Sequence, residues 1–475
     1  MLPESGYRQG KIDDSDRNAD NQTLLSSARE AVEQARRYNP ARLPQALATY
    51  VRLLTRDGQY EQARQLSDEI LQIEKNGSSS VEAYIALGIC TGQANQIDAS
   101  ESFFNQAADL SRKINYPFGL ARALRYLTNQ VLLVRGQFHL ALTLMEEAGI
   151  LLEEQGSRHW NEPFLRGLIY QTVGDRRHCR EVLDELVLQV EPGTRFAAAY
   201  YLLWARLAID EGEPEQAKEY LRLGLRVANR IGVMDLNLLI RLEYSRYHRI
   251  RNEAPVARTW ADDALNLAQH YGSLYFTGLA LIERAQANWN SSDPQAAFAD
   301  LQEAFSNLEP LRAAYDLTRA RFLCALWRKQ INHPEAEATW AEAARQIIHH
   351  GYAFLLEKEQ EVAFPLVAAH VRSKNPQVRG ITEDLLRHLA NVPPPPLRII
   401  TLGQFAVWKG RKRVADQAWN RRKAGELFRY LLLQPNRAAG REVIIEALWP
   451  ENESGSPEDL LHQATSALRH ALEPD

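Results

Sequence analysis

The sequence predicts a mostly α-helical chain: a long solenoid of paired helices, then a small α+β head at the C-terminus. Three observations carry this. A tight polar turn between two helical apolar runs recurs about every forty residues. Four consecutive prolines follow the last repeat. Beyond them the apolar periodicity changes from 3.6 to 2. The 475 residues suffice for about three or four average domains or for one long array.

The array comes first in the chain. Its turns begin at Gly58, Asn95, Gly136, Gly174, Gly212, Asn252, Ser292 and Asn332, at spacings of 37, 41, 38, 38, 40, 40 and 40 residues. Five residues later stands a small side chain (Ala63, Ser100, Ala141, Cys179, Ala217, Ala257, Ala297), and only Glu337 breaks the rule. A small residue there lets the second helix lie close against the first. Pro214, Pro294 and Pro334 share one repeat position. Proline is tolerated in a first helical turn, where its missing N–H would be unpaired anyway. The period fits antiparallel helices of about fifteen residues, and each pair must stack on neighbours to bury both faces. An extra helix, about Leu24 to Tyr38, precedes the first turn. A last pair, about Phe354 to Val371 and Val378 to Leu389, closes the array.

These boundaries give a linker or disordered segment over residues 1–21, a solenoid over 22–391, a proline linker over 392–396 and a head over 397–475. Pro393 to Pro396 cannot be helical and favour a stiff extended spacer.

The segments Gly58-Gln-Tyr-Glu-Gln-Ala63, Gly136-Gln-Phe-His-Leu-Ala141 and Gly212-Glu-Pro-Glu-Gln-Ala217 resemble tetratricopeptide repeats. The period near 40 is similar to the signal-sensing region of MalT-like bacterial activators. That resemblance implies a ligand- or partner-sensing array.

In the head, Leu397 to Leu402 and Gln404 to Trp408 read as strands around Gly403. Lys409-Gly410 is a hairpin signal, with Arg413-Val414 returning. Three helices follow: about Arg422 to Leu433, about Arg441 to Trp449 stopped by Pro450, and one opened by Ser456-Pro457-Glu458-Asp459 and running to about Leu472. At 100° per residue, Leu461, Ala464, Leu468 and Leu472 share one face of the third helix. Asp459, His462, Gln463, Ser466, Arg469 and His470 share the other. Arg can pair with guanine, Gln with adenine, and Ser with bases or phosphate. Any amphipathic helix also has a polar surface face.

The segments Leu397-Arg-Ile-Ile-Thr-Leu-Gly403, Trp419-Asn-Arg-Arg-Lys-Ala424, Glu442-Val-Ile-Ile-Glu-Ala-Leu-Trp-Pro450 and Ala467-Leu-Arg-His-Ala-Leu-Glu-Pro474 resemble the winged helix-turn-helix of OmpR/PhoB-type regulators. They are closest to its form in SARP/AfsR-type bacterial transcriptional activators. The resemblance implies that the third helix enters the major groove, with His462, Gln463, Ser466, Arg469 and His470 as base-reading candidates. It also implies that the loop with Glu451, Asn452 and Glu453 meets RNA polymerase. Two departures, Ala467 where the family often has Arg and Gly440 where it often has a hydroxyl, leave the base preference open. Trp419 and Trp449 read as core anchors. The family continues into a β-hairpin wing, whereas this sequence ends three residues beyond Leu472. The expectation is a piece of a longer protein, truncated before the wing.

Charge bears on the head independently. The chain has 56 Lys+Arg against 60 Asp+Glu, a net −4, which excludes a uniformly basic coat. Yet from Arg398 to Arg441 eleven basic residues face only Asp416 and Glu426, a local electrostatic footprint. Arg421, Arg422, Lys423, Arg437 and Arg441 are the phosphate-contact candidates. A charge run is also what a solvated surface shows.

Other classes find little support. No apolar run is long enough for a membrane helix, and the acidic N-terminus does not read as a secretion signal. Cys90, Cys179 and Cys324 lie far apart, which argues against a disulfide framework or a thiolate zinc site and for the cytoplasm. HExxH, GxSxG, phosphate-loop and dinucleotide motifs are missing from the sequence, so no enzyme, cofactor or metal is expected. On the first helices of the hairpins, Arg125, Tyr126, Tyr201, Trp204, Arg241, Tyr244, Arg246 and Arg284 are candidates for holding an anionic ligand or peptide. Ordinary interhelix packing is the competing account. The functional expectation is a cytoplasmic, DNA-binding transcriptional regulator whose solenoid senses a ligand or protein. The alternative is a repeat scaffold whose head contacts protein. Effector, operator, sign of regulation and oligomeric state are not written in the sequence.

Overall fold

The computed structural model describes residues 21–157, 161–187, 190–392, 397–403, 405–409, 412–420, 423–450 and 456–472. The expected N-terminal linker up to residue 20 and Pro393 to Pro396 lie outside the described residues. The chain forms two compact units: one of the residues up to Ile209 and Glu213–Val392, the other of Asp210–Gly212 and the residues from Pro393 on.

The larger unit is a stack of helical hairpins. A lead helix α1 (Asn21–Tyr38) is followed by α2 (Leu43–Asp57), α3 (Tyr60–Ile73), α4 (Ser78–Gln93), α5 (Ile97–Lys113) and α6 (Pro117–Leu127). A π-helical turn, Thr128–Leu132, joins α6 to a last turn α7 (Leu133–Arg135). Then come α8 (Phe138–Glu154), α9 (Asn161–Val173), α10 (Arg176–Val187), α11 (Arg195–Glu211), α12 (Pro214–Ile231), α13 (Met234–Ile250) and α14 (Ala254–His270). The unit ends with α15 (Leu274–Asn290), α16 (Pro294–Leu308), α17 (Ala314–Gln330), α18 (Ala336–His350), α19 (Ala353–Lys358), α20 (Gln360–His370) and α21 (Pro376–Ala390).

All eight expected turn residues adopt positive φ, from 53° at Asn332 to 85° at Gly174. Only glycine enters this left-handed region without a steric cost, with Asn the next most tolerant. The seven small residues five positions on are each fully buried, at 0% exposure. Ser100 adds a bond across its hairpin, its Oγ donating to the Gly88 carbonyl at 2.8 Å. The exception has a physical reason. α18 begins late, at Ala336, and Ala336 is buried while Glu337 points outward. For the same reason Pro334 lies before its helix, whereas Pro214 and Pro294 open theirs. The expected helix from Phe354 to Val371 is broken between Lys358 and Gln360, and Pro365 sits inside its second piece.

The stack also closes on itself through contacts five or six hairpins apart. The Asn95 side chain, at the turn of α4 and α5, donates to Gly272 O at 2.9 Å and accepts from Leu274 N at 3.1 Å. Tyr352 donates to Gly136 O at 3.1 Å. Lys358 Nζ donates to Gln171 O at 2.9 Å and Thr172 O at 3.2 Å, capping the end of α9. Phe138, Tyr315, Tyr352 and Phe354 pack ring to ring at 5.2–6.2 Å across this seam.

The smaller unit opens with a three-stranded antiparallel sheet, β1 (Leu397–Ile400), β2 (Ala406–Lys409) and β3 (Lys412–Arg413), in the order β1-β2-β3. Ile399 faces Val407 in register and Trp408 faces Arg413. Val414 N–H donates to Val407 O at 2.9 Å, just past the end of β3. The helices are α22 (Asp416–Asn420), α23 (Ala424–Leu433), α24 (Arg441–Leu448) and α25 (Pro457–Leu472). The first expected helix, about Arg422 to Leu433, is α23, which starts at Ala424 after Lys423 at φ 59°; the short α22 ahead of it was not expected from the sequence. Val407, Trp419, Leu427, Phe428, Ile444, Leu448, Leu461, Ala464 and Leu468 make the core. Trp419 stacks on Phe428 with centroids 5.4 Å apart, and Trp449 packs at the edge of that core. Both tryptophans are anchors.

Candidate nucleic-acid interface

The geometry of α25 follows its sequence pattern. Leu461, Ala464 and Leu468 are buried, Leu472 is half-buried, and Asp459, His462, Gln463, Ser466, Arg469 and His470 are exposed. Pro457 is its first residue, and Ser456 O accepts from Asp459 N and Leu460 N at 3.0 and 3.2 Å. An apolar seam on one side and donors and acceptors on the other fix which face of α25 can meet a second molecule.

The basic candidates divide. Arg437 and Arg441 are exposed. Arg437 ends a 3₁₀ turn, Pro435–Arg437, and Arg441 opens α24, 3.9 Å from Glu458 at the start of α25. Lys423 is engaged inside the head: its Nζ donates to Leu448 O at 2.7 Å, capping α24, and lies 5.7 Å from the Trp449 ring centroid. That bond ties the start of α23 to the end of α24, while the Lys423 side chain stays exposed. Arg429 stands over Phe405 at 4.6 Å, and Arg413 pairs with Asp416 at 3.0 Å. Arg421, Arg422, Glu451, Asn452 and Glu453 lie outside the described residues.

The solenoid candidates are mostly held by neighbours. Tyr201 and Trp204 of α11 stack on Tyr220 of α12, with centroids 6.3 and 5.6 Å away. Tyr244 of α13 stacks on Trp260 of α14 at 4.2 Å. Tyr244 is buried, and the other four rings are half-buried against the core of their hairpins. Tyr126 stacks on Phe104, and Arg125 lies 4.8 Å above the Tyr126 ring. Arg284 pairs with Asp300 at 2.6 Å and Asp262 at 3.2 Å. Arg241 reaches Asn237 O at 3.4 Å, and burial pushes its guanidinium below its ordinary range.

A cluster of which the sequence singled out only Arg246 spans four first helices. Glu243 pairs with Arg206 at 2.8 Å and Arg246 at 3.4 Å. Glu283 pairs with Arg319 at 2.5 Å and Arg249 at 3.5 Å. Burial pushes Glu283 up, but Arg319 and Arg249 outweigh it and hold the carboxyl at about 2. Asp316, bonded to Tyr275, is pushed up by burial to about 6 against the pull of Arg319. The signal was available: Glu243 and Arg246, and Asp316 and Arg319, are oppositely charged i,i+3 pairs within their helices.

No protein-family model matches this chain, and no curated protein sequence matches it significantly. Solved structures similar in fold include the following two. One is a Rap protein complexed with Competence and Sporulation Factor, at TM-score 0.55 and 11% identity, covering 73% of this chain and 97% of that one. The other is NprR in complex with its cognate peptide NprX, at TM-score 0.53 and 12% identity, covering 73% of this chain and 99% of that one. At such identities the likeness is one of fold, and the larger unit is a tetratricopeptide-like solenoid of helical hairpins.

Proposed function

We propose that this chain is a DNA-binding transcriptional regulator. Its solenoid senses a peptide or protein ligand, and its head is a winged helix-turn-helix that binds double-stranded DNA and meets RNA polymerase. The observation that carries the reading is the division of α25: Leu461, Ala464 and Leu468 anchor it, while His462, Gln463, Ser466, Arg469 and His470 face outward. Arg437 and Arg441, exposed at the head's surface, supply phosphate contacts. The sensing role rests on the likeness in fold to a Rap protein complexed with Competence and Sporulation Factor and to NprR in complex with its cognate peptide. No catalytic role is proposed. The site of action is the cytoplasm, and among the described residues no helix is long and apolar enough to cross a membrane.

A second reading, a scaffold whose head contacts protein, is favoured by Leu402 and Leu433, which are 89% and 83% exposed. Salt separates the two. Counterion release makes DNA affinity fall steeply and log-linearly with salt, whereas an apolar protein contact changes little. Fluorescence anisotropy with a labelled duplex at about 50 and 200 mM salt is the test. Absence of duplex binding at the lower salt refutes the DNA reading.

A further inference from the structure

The first helices of two successive hairpins and the residue that caps the start of a third surround a small polar cavity of about 30 Å³. Gln45, Thr49 and Arg52 of α2 form one wall, Ser79 and Glu82 of α4 the second, and Tyr116, just before α6, the third. The volume accommodates about one small polar group.

Two groups on the walls are donors without an acceptor. Arg52 Nη2 and Ser79 Oγ are both sealed from solvent and make no hydrogen bond among the described residues. Ser79 is 2% exposed. A buried donor left unsatisfied costs about 1–3 kcal/mol, more when charged, so a matching acceptor is strongly favoured. The carboxylate on the walls does not fill that role: Glu82 is ion-paired with Arg122 and accepts from the Tyr116 hydroxyl at 3.4 Å. Glu74 takes the Ser79 amide at 3.2 Å from beyond the cavity walls, leaving Arg52 Nη2 and the Ser79 hydroxyl unanswered. The N-terminus of α4, a helix of 16 residues, adds a favourable partial charge for an anion.

We propose that this cavity is a carboxylate-binding site, with one carboxylate oxygen on Arg52 Nη2 and the other on Ser79 Oγ. Two donors, one cationic and both desolvated, match an anionic group with two acceptor oxygens. The size favours a lone carboxylate, carried by a small free acid or by the terminus of a polypeptide. The site depends on neither DNA binding nor the head.

The test is saturation-transfer NMR on the full chain with acetate, N-acetyl-glycylglycine and the amide of that dipeptide as probes. Transfer is expected to both acids and not to the amide. Arg52→Gln should weaken it about tenfold or more. Ser79→Ala should weaken it too, and it removes a hydroxyl with no partner, so folding is retained and circular dichroism verifies this. Tighter binding of the dipeptide acid than of acetate identifies a chain terminus as the source, and equal binding identifies a free acid. No transfer to the wild type, equal transfer to the amide, or undiminished transfer in folded Arg52→Gln overturns the proposal.

Discussion

The Tyr352 hydroxyl donates to the Gly136 carbonyl at 3.1 Å across 216 residues of sequence. Gly136 sits at φ 73°, and a Cβ there would lie 2.5 Å from the Tyr352 oxygen and 2.7 Å from Tyr315 Cβ. Left-handed backbone and lack of a side chain are both required at this position. Tyr352→Phe should therefore cost about 1–3 kcal/mol, the penalty for stranding a buried carbonyl, and Gly136→Ala more, since it adds a clash to the strain. Urea unfolding followed by circular dichroism measures both. Equal stability of Tyr352→Phe and wild type would show that the seam is held by ring packing alone.

Asn95 has two duties, and they can be separated. It adopts φ 60°, and its amide bridges Gly272 O and Leu274 N. Asn95→Gly keeps the backbone conformation and loses the bridge, while Asn95→Ala loses the bridge and adds about 1–2 kcal/mol of left-handed strain. Alanine should be the less stable variant in thermal melts. The reverse order would mean that the turn relaxes to negative φ.

The local architecture of the solenoid was legible because each hairpin repeats the same local demand: Gly or Asn at a left-handed turn, and a small residue five positions later. A second series of left-handed turns, between hairpins, was not. Asn115, Gly156, Gly193, Gly232, Gly272, Arg312 and Gly351 mix three residue types, and residues such as Arg carry no turn signal. The closing seam was illegible for a different reason. Tyr352 and Gly136 meet only after five or six hairpins have each added their small rotation, which no local pattern encodes. The ring stacking of Tyr201 and Tyr244 was equally hidden, because helical spacing does not tell an aromatic facing its own partner helix from one facing outward. In the head, the faces of α25 were readable from its period, but the bond from Lys423 to Leu448 O was not, since it joins two helices.

One buried acid, Asp316, and one half-buried acid, Glu162, make the solenoid's stability depend on pH. Burial pushes Asp316 from 3.8 to about 6, against Arg319, and Glu162 from 4.5 to about 7, against Arg166. The folded state thus holds these protons more tightly than the unfolded chain. Their stabilising contribution is full below the unfolded values and is lost as pH rises through about 6 and 7. Each tenfold difference in proton affinity between folded and unfolded chain is worth about 1.4 kcal/mol. Glu283, held at about 2 instead of 4.5, acts oppositely: its contribution is lost as pH falls through that interval. Asp316→Asn combined with Glu162→Gln should flatten the decline in stability between pH 5 and 8. Chemical denaturation at several pH values, read as variant minus wild type, decides this, and parallel curves would refute it.

Gly425 follows the break at Lys423, and a Cβ there would lie 2.8 Å from the Trp419 carbonyl oxygen and 3.2 Å from Trp419 Cβ. Backbone cannot swing aside as a flexible side chain does. Gly425→Ala should cost the head about 1–3 kcal/mol and leave the solenoid untouched. Hydrogen exchange should show faster exchange in α23 and α25 with unchanged protection in α13 to α17. Uniform loosening of both units would contradict a local clash.

The last prediction separates reading from holding on the proposed DNA surface. Gln463 and Ser466 are exposed on α25, one turn apart, on the side away from Leu461, Ala464 and Leu468. Neither supports the core, so their replacement by Ala should leave the head folded. If this face reads bases, each lost contact should remove about 1–3 kcal/mol of discrimination at one position of the site, with less change in affinity for unrelated DNA. Arg441, exposed and only 3.9 Å from the exposed Glu458, is weakly engaged and free to turn toward a phosphate. Arg441→Ala should lower affinity for all duplexes alike and reduce the salt slope by about one. Selection from a randomised duplex pool tests the first pair, and anisotropy titrations at stepped salt test the second. Unchanged preference in both Gln463→Ala and Ser466→Ala would remove this face as the reader. An Arg441→Ala loss confined to one sequence would make Arg441 a base contact rather than a phosphate contact.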